Sequence, residues 1–312
     1  MQNPILSIFI PTYNHERYIA QTLDSVLMQK TDYPLEILIG EDCSVDGTRK
    51  ILREYEIKYP GKFQMFYRKH NMYQEKINNA LDLLLRCKGK YIIALEGDDF
   101  WTDPYKLDKQ ISFLEKHQEY YAVAHNCIVV NDDSIPNGEK YPECKDLEYT
   151  YRHYFNDILP GQTATVMFYN YLNDKDFNND YPSVPVGTPG DRIFYYKLLV
   201  NDKKIYCMQE VMSAYRHVTN FGTSFSATYK APFEKEEPWY KAKLIYTQKY
   251  KREWLDYAKI LYLQMLYSSL REKKINVKTF FEYFKQERLY TVVLDFINCK
   301  IKKRLIRKKF YV

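Results

Sequence analysis

The sequence has 312 residues, of which 46% are hydrophobic and 17% aromatic. This composition excludes an intrinsically disordered chain, because so many large side chains can offset the entropy lost on ordering. Only 10 glycines and 13 prolines are present, which excludes collagen-like and low-complexity classes. The net charge of +6 raises the question of whether the protein meets a polyanion.

The cysteines and the apolar segments indicate in which cellular compartment we expect the protein. Six cysteines are dispersed without a Cys-x-x-Cys pair, which favours a reduced, cytosolic protein over a disulfide scaffold. Residues 1–11 contain neither a basic leader nor a long apolar run, so we expect no secretory signal. The longest nearly apolar stretch, residues 120–130, is too short to cross a bilayer.

Short β-rich runs alternate with amphipathic helical patterns through the first 130 residues. The predicted strands are residues 6–10, 35–39, 63–67, 91–95 and 122–130. Between them, apolar residues recur at helical spacing, as in Ile19, Leu23 and Val26. This alternation predicts an α/β fold with a mostly parallel central sheet and helices on both faces. The ligand site of such a sheet lies beyond the carboxyl ends of its strands.

The second half of the chain has a different pattern. Residues 131–147 and 170–190 read as loop insertions, and a further strand is predicted at 211–215. From residue 233 onward, apolar stripes such as Val277, Phe280, Phe281 and Phe284 predict helices. We therefore expect a catalytic domain at residues 1–227 and a helical extension at 228–312.

Three carboxylates follow the predicted strand at 91–95, namely Glu96, Asp98 and Asp99. Carboxylates this close repel one another unless a cation or hydrogen-bond donors compensate them. Oxygen ligands at this density suit Mg²⁺ or Mn²⁺, which in enzymes often also bind a substrate diphosphate. The alternative is a solvated acidic turn before the helix that follows Pro104.

Two other strand ends carry polar residues toward the same edge. The first strand is followed by Pro11, Thr12, Tyr13 and Asn14, where the tyrosine ring could stack on a base. The second strand is followed by Glu41 and Asp42, which could accept hydrogen bonds from a nucleobase or a ribose. The first of these segments can also be read as an ordinary turn between a strand and a helix.

The three segments at residues 7–14, 41–48 and 95–101, in this order and separation, resemble those of the family 2 glycosyltransferases. The similarity extends over roughly residues 4–226. It implies the A-type glycosyltransferase fold, in which a Rossmann-like α/β domain binds a nucleotide, and transfer of a sugar from a nucleotide-sugar donor with inversion.

The resemblance also implies roles for individual residues. The donor nucleotide would be bound by Pro11, Thr12, Tyr13, Asn14, Glu41, Asp42 and Glu96, where Glu96 replaces the commoner aspartate. The metal ion, Mg²⁺ or Mn²⁺, would be bound by Asp98, Asp99 and His217.

Asp191 resembles the family's general base, since it follows the proline-rich loop and opens a helical pattern. A carboxylate there could take the proton of an acceptor hydroxyl, or it could only cap its helix. His217 follows Tyr215 and Arg216 one position earlier than the spacing frequent in the family. It is therefore either a metal ligand or an ordinary hydrogen-bonded histidine.

The resemblance therefore implies a metal-dependent inverting glycosyltransferase that uses a UDP-sugar and extends a bacterial surface glycan. The acceptor would be a glycan or a lipid-linked glycan. Two alternatives stay open, a noncatalytic nucleotide-sugar-binding or membrane-scaffold protein and a sugar nucleotidyltransferase. The latter normally has a glycine-rich phosphate loop, whereas residues 11–17 contain no glycine. No nucleic-acid-binding motif accompanies the positive charge.

The net charge is concentrated near the carboxyl end. Seven basic residues lie between Lys300 and Lys309, so residues 1–299 carry a net charge of −1. Leu294, Ile297, Ile301 and Leu305 form an apolar stripe that runs into this basic segment. A basic amphipathic terminus suits an anionic membrane surface, which predicts a cytoplasmic protein that is peripheral on the inner face of the plasma membrane. The alternative is a solvated tail whose stripe packs on the protein.

Overall fold

The computed structural model describes residues 4–73, 78–156, 158–172, 190–217 and 232–301. Of these, residues 190, 191, 193, 235 and 298–301 are described by their backbone alone. The chain divides into two compact units, Met1–Asn179 with Lys197–Tyr229, and Asp180–Tyr196 with Lys230–Val312. The domain boundary near residue 228 stays a prediction.

Strands and helices alternate through the first unit. The strands are β1 (Leu6–Thr12), β2 (Leu35–Glu41), β3 (Gln64–Tyr67), β4 (Tyr91–Ala94), β5 (Phe100–Trp101), β6 (Tyr120–Val130), β7 (Glu148–Tyr149), β8 (Met167–Tyr169) and β9 (Lys204–Arg216). The helices of the first half are α1 (Ile19–Leu27), α2 (Thr48–Lys58), α3 (Asn79–Arg86), α4 (Lys106–Lys116) and α5 (Tyr151–Phe155). The helix α6 (Gly190–Val200) begins in the second unit and ends in the first.

Within the described residues, the nine strands form one sheet in the order β3-β2-β1-β4-β8-β6-β9-β5, with β7 also paired to β9. The strands β3, β2, β1 and β4 are parallel to one another. The strand β8 is antiparallel to both of its neighbours, whereas β6 and β9 are parallel. The prediction of an α/β fold is confirmed.

The alternating side chains of the central strands fill two cores, one on each face of the sheet. Ile8 and Ile10 of β1 pack with residues of α1, α2 and α4. Phe9, which lies between them, packs on the opposite face with Leu83 of α3. Since the side chains of a strand alternate with period two, these helices cover both faces of the sheet.

The predicted strands of the parallel half agree with the observed ones to within two residues. The strands β5, β7 and β8 were not predicted. They have only two or three residues each and are too short to show an alternating pattern. The strand β9 is longer than predicted and begins at Lys204. The inserted loop at 131–147 is observed, whereas most of the predicted loop at 170–190 lies outside the described residues.

The second unit is helical. Its helices after α6 are α7 (Phe233–Tyr250), α8 (Leu255–Arg271), α9 (Val277–Gln286) and α10 (Val293–Ile301). In α8, Ala258, Tyr262, Met265 and Leu266 are buried, and the Tyr262 hydroxyl donates a hydrogen bond to Glu237 Oε1 at 2.6 Å. The predicted stripe of α9 does not enter a core, since Val277 and Phe281 are both 59% exposed. No helix in the described part of the chain is both long and apolar enough to cross a membrane.

A lysine is buried at the start of α4. The ammonium group of Lys106 donates a hydrogen bond to Gln110 Oε1 at 2.7 Å and lies 4.2 Å from the centre of the Trp101 ring. Burial lowers the pKa of Lys106 well below its ordinary value. The folded state therefore holds this proton less tightly than the unfolded chain does.

This difference predicts a specific pH dependence of stability. Between the lowered pKa of Lys106 and its ordinary value, the unfolded chain binds the extra proton, so stability rises with pH. The free energy of unfolding of the wild type, relative to Lys106→Met, should therefore increase from pH 7 to 10, by at most about 1.4 kcal/mol per pH unit. Urea unfolding of both proteins at several pH values measures this slope.

Lys109→Met is the matched control, because hydrogen bonds to Asp103 and Glu210 raise the pKa of Lys109 instead. It should show no such rise. A pH-independent difference for Lys106→Met would contradict the assignment of a lowered pKa.

Candidate active site

The carboxyl ends of β1, β2 and β4 meet at one edge of the sheet. Thr12 and Glu41 are register partners, and Asp42 N donates a hydrogen bond to Thr12 O at 3.0 Å. On the other side of β1, Gly97 N donates to Pro11 O at 3.2 Å. The three segments that carry the family resemblance are therefore brought together by direct backbone contacts.

Gly97 allows the acidic turn, residues 95–99, to approach β1 closely. A Cβ atom at this position would lie 2.6 Å from both Thr12 Oγ1 and His15 Nδ1. Real Cβ atoms essentially never come this close to their neighbours, so a larger residue would force either the turn or the side chains of Thr12 and His15 to shift. The hydroxyl of Thr22, in α1, also fixes the turn by donating to the carbonyl oxygens of Gly97 and Asp99.

Asp98 and Asp99 have different environments. The Asp98 side chain is 16% exposed, and its Oδ2 lies 3.8 Å from His15 Nε2. Asp99 is buried, and its two carboxylate oxygens accept hydrogen bonds from Arg216 N at 2.8 Å and Gln162 Nε2 at 2.7 Å. Burial, with the nearby charges of Asp98 and Glu96, raises the pKa of Asp99. Of these two side chains, Asp98 is the one placed to meet a ligand.

The turn after β1 is tied to the turn after β2. Asn14 adopts the left-handed conformation with φ 55°, and its side-chain oxygen accepts a hydrogen bond from Val45 N at 2.9 Å. Its own backbone N donates to Ser44 Oγ at 3.0 Å. Asn14 thus joins the two turns, while the partly buried Pro11 and Tyr13 lie on the same segment.

Glu41 and Asp42 also differ, although both are buried. Glu41 accepts hydrogen bonds from Ser44 N and Arg49 Nε, both at 2.5 Å. Asp42 Oδ1 accepts from Met72 N at 2.9 Å. The Glu41 carboxylate is therefore engaged by a guanidinium group from α2, a contact that explains its position without a nucleotide.

The remaining predicted residues are placed as follows. Glu96 is partly buried between β4 and Asp98. His217 directly follows β9, and its Nδ1 lies 2.5 Å from Glu139 Oε2. Asp191 is the second residue of α6, as its helical pattern predicted, but it belongs to the second unit and its side chain lies outside what the structure describes.

Sequence reasoning did not place three side chains, those of His15, Gln162 and Arg216, at the acidic turn. His15 faces Asp98, Gln162 binds Asp99, and the guanidinium group of Arg216 is buried behind the turn. The position of Arg216 directly after the predicted strand at 211–215 was the available signal, since a guanidinium group is rarely buried without specific partners.

Among the described residues, no group of three or more histidine, cysteine or acidic side chains is arranged to hold a metal ion. The donor set nevertheless fits a hard divalent cation, because Mg²⁺ in enzymes is usually held by one or two carboxylates together with substrate phosphates. Asp98 can supply that carboxylate.

The contacts of Glu41 predict that it serves stability more than nucleotide binding. Glu41→Gln should lower the free energy of unfolding by about 1–3 kcal/mol, because the Arg49 guanidinium loses its charged partner. Asp42→Asn, the matched neighbour, keeps an oxygen that can accept from Met72 N. Chemical denaturation and titration with UDP would separate the two roles. A large loss of UDP affinity in Glu41→Gln without a loss of stability would contradict this view.

Proteins of Mycobacterium tuberculosis and Bacillus subtilis are similar to parts of this chain. An uncharacterized protein of Mycobacterium tuberculosis is 37% identical over 137 residues, 44% of this chain and 39% of its own length. The chain thus matches well under half of that relative. A candidate glycosyltransferase of teichuronic acid biosynthesis in Bacillus subtilis, TuaG, is 29% identical over 218 residues, which cover 70% of this chain and 81% of TuaG.

A solved structure has a fold similar to that of this chain. TarS 1-349 of S. aureus, in complex with UDP-GlcNAc, superposes with a TM-score of 0.61 and 19% identity over 94% of this chain and 80% of that one. The family described as Glycosyl transferase family 2 matches residues 7–199, which is more than half of the chain. With the three motif segments meeting at one edge of an α/β sheet, the chain belongs to glycosyl transferase family 2.

Proposed function

We propose that the protein transfers a sugar from a UDP-sugar to a hydroxyl of a glycan acceptor, with inversion at the anomeric carbon. The observation that carries this proposal is the acidic turn. It presents the partly exposed Asp98 beside the ends of β1 and β2, while its neighbour Asp99 is turned inward. A family 2 chain needs one such carboxylate where the donor diphosphate would lie.

The donor nucleotide would lie along the ends of β1 and β2. Pro11 and Tyr13 would flank the base, and Asp42 would accept a hydrogen bond from its edge. Asn14 supports this surface by joining its two turns, and Thr12 does so through the contact of its hydroxyl with His15 Nδ1 at 3.1 Å. Glu96 would contact the ribose, whereas Glu41 would act through Arg49.

Asp98 would hold a Mg²⁺ or Mn²⁺ ion, and His217 would join it through Nε2. A carboxylate on the other ring nitrogen, as Glu139 is on Nδ1 of His217, is usual for metal-binding histidines. When bound, the ion supplies Lewis-acid stabilisation of the departing diphosphate. Asp99 would support the turn instead of sharing the ion, because both of its oxygens already accept N–H donors.

Asp191 would remove the proton from the acceptor hydroxyl, which is a poor nucleophile until a positioned carboxylate does so. Its place at the start of α6, within the segment that the family matches, supports this role. A single displacement by that oxygen would invert the configuration of the sugar carbon.

The names of the relatives support the donor and acceptor classes. TarS binds UDP-GlcNAc, and TuaG is named for teichuronic acid biosynthesis. These suggest a UDP-sugar and a bacterial surface polysaccharide, which would grow as a glycan or a lipid-linked glycan. Family membership favours transfer over a nucleotidyltransferase or a noncatalytic binding protein.

Two variants test the site. Asp98→Asn should weaken Mn²⁺-dependent donor binding and reduce turnover by about a hundredfold or more, since charge stabilisation is lost. Asp191→Asn should reduce turnover as strongly while it leaves donor binding nearly intact. Calorimetric titration with UDP and Mn²⁺, together with donor hydrolysis across a panel of UDP-, GDP- and dTDP-sugars, measures both effects.

Asp32→Asn is the matched control, because this exposed aspartate precedes the opposite end of β2. It should behave as the wild type. Wild-type turnover in Asp191→Asn would reject the base, and neither binding nor hydrolysis of any donor by the wild type would reject the transferase.

We also propose that the basic segment from Lys300 to Lys309, nearly all of which lies outside the described residues, docks the protein on the inner face of the plasma membrane. The supporting observation is the apolar stripe of α10, in which Leu294 is 77% and Ile297 is 43% exposed. A stripe that packed onto the protein would be covered. Electrostatic attraction adds up to about 1 kcal/mol per basic residue near an anionic surface.

Cosedimentation with vesicles of phosphatidylcholine, with or without phosphatidylglycerol, tests this docking. Truncation after Cys299 should weaken binding to the anionic vesicles by ~tenfold or more, given the charge removed. Leu294→Ser with Ile297→Ser should weaken it too, whereas Ile57→Ser, at an 81% exposed site of α2, should not. Binding that survives truncation unchanged would argue against the basic segment.

A further inference from the structure

Arg216, the last residue of β9, carries a guanidinium group that is buried behind the acidic turn. Its Nε donates a hydrogen bond to the carbonyl oxygen of Asp98 at 2.9 Å. The other four N–H groups of the guanidinium also donate hydrogen bonds. Nη1 donates to Asn131 O at 3.0 Å and Asp132 O at 2.8 Å, and Nη2 donates to Gln21 Oε1 at 2.7 Å and Ser134 Oγ at 3.1 Å.

The backbone of Arg216 binds the same turn. Its N–H donates to Asp99 Oδ1 at 2.8 Å. One residue therefore binds both the backbone carbonyl of Asp98 and the side-chain carboxylate of Asp99. The contacts on Nη1 and Nη2 in turn anchor that residue to α1 and to the loop after β6.

The register of the sheet explains this placement. The antiparallel pairs Phe100–Ala214 and Trp101–Ser213 join β5 to β9. Continued by two residues, the same register sets Arg216 opposite Asp98. The pairing of β5 with β9 thus delivers the guanidinium group to the residue whose carboxylate faces outward.

Burial of a charged guanidinium group costs free energy, so the burial of Arg216 calls for an explanation. Burial lowers the pKa of Arg216, while the charges of Asp99, Asp98 and Asp132 oppose that shift. An apolar side chain could close a strand end without this cost. Lysine could not replace it, because an ammonium group has three donors and lacks the planar fork that spans separate acceptors.

We propose that Arg216 is a positioning residue, which fixes the backbone of Asp98 so that its carboxylate points at the donor diphosphate and its metal ion. This inference rests on the proposed role of Asp98. Arg216 does not touch the donor in this scheme. It acts by restricting the turn, as outer partners of metal ligands do when their loss lowers metal affinity by about 10–100-fold.

The test measures binding of Mn²⁺ in the presence of UDP, by the electron paramagnetic resonance signal of free Mn²⁺. Arg216→Lys and Arg216→Ala should bind the ion at least ~tenfold more weakly than the wild type. Guanidinium ion at millimolar concentration should restore part of the affinity of Arg216→Ala, because it can occupy the same five acceptor positions.

Leu114→Ala is the control for loss of stability alone. This leucine is buried in α4 and has no place in the site, so the variant should melt at a lower temperature and still bind Mn²⁺ and UDP as the wild type does. If Arg216→Ala does not fold, the double variant Gln21→Ala with Ser134→Ala removes only the acceptors of Nη2. It should lower Mn²⁺ affinity in the same direction.

The outcomes separate this inference from the proposed function. Wild-type Mn²⁺ affinity in folded Arg216 variants, with weak binding by Asp98→Asn, would overturn the positioning role and leave the function standing. Wild-type affinity in the Gln21 and Ser134 double variant would also count against it. A wild-type protein that binds neither Mn²⁺ nor UDP would overturn both.

Discussion

Repulsion among three carboxylates, Glu96, Asp98 and Asp99, is the constraint on which the edge of the sheet depends. They occupy three of four consecutive positions after a buried strand, where the low dielectric strengthens their mutual repulsion. The structure relieves this repulsion by directing the side chains differently. Asp99 turns inward to N–H donors, and Asp98 stays at the surface, where water or a cation can share its charge.

This separation draws on parts of the chain that are distant in sequence. Thr22 fixes the turn from α1, Gln162 reaches Asp99 from the segment before β8, and Arg216 arrives at the end of β9. The two halves of the sheet therefore have different tasks. The parallel half, β3-β2-β1-β4, offers the strand ends where we propose that the nucleotide binds, while the half that contains β8, β6 and β9 supplies the partners that hold the acidic turn in place.

The same distinction explains what could be predicted from the sequence. The parallel strands and their helices were predictable because their apolar residues repeat with periods of two and 3.6. The difference between Asp98 and Asp99 was not, because it depends on Arg216, which is 117 residues from Asp99. Glu41 is a similar case, since its engagement by Arg49 requires the register of α2 against β2. The apolar stripe of α9 predicted the helix and gave no indication that Phe281 would be exposed.

The end of β9 gives neighbouring side chains different surroundings. Successive side chains of a strand point in opposite directions, so Tyr215 and Arg216 lie on opposite sides at the end of β9, and Arg216 binds the acidic turn. The rings of Tyr215 and His217 stack with centroids 6.1 Å apart, and Tyr215 also packs edge-on against Tyr141. His217 N donates to Val130 O, which continues the pairing of β9 with β6. One inserted residue before Arg216 would exchange the two faces, so the order Tyr-Arg-His is fixed by the sheet as much as by the chemistry of each side chain.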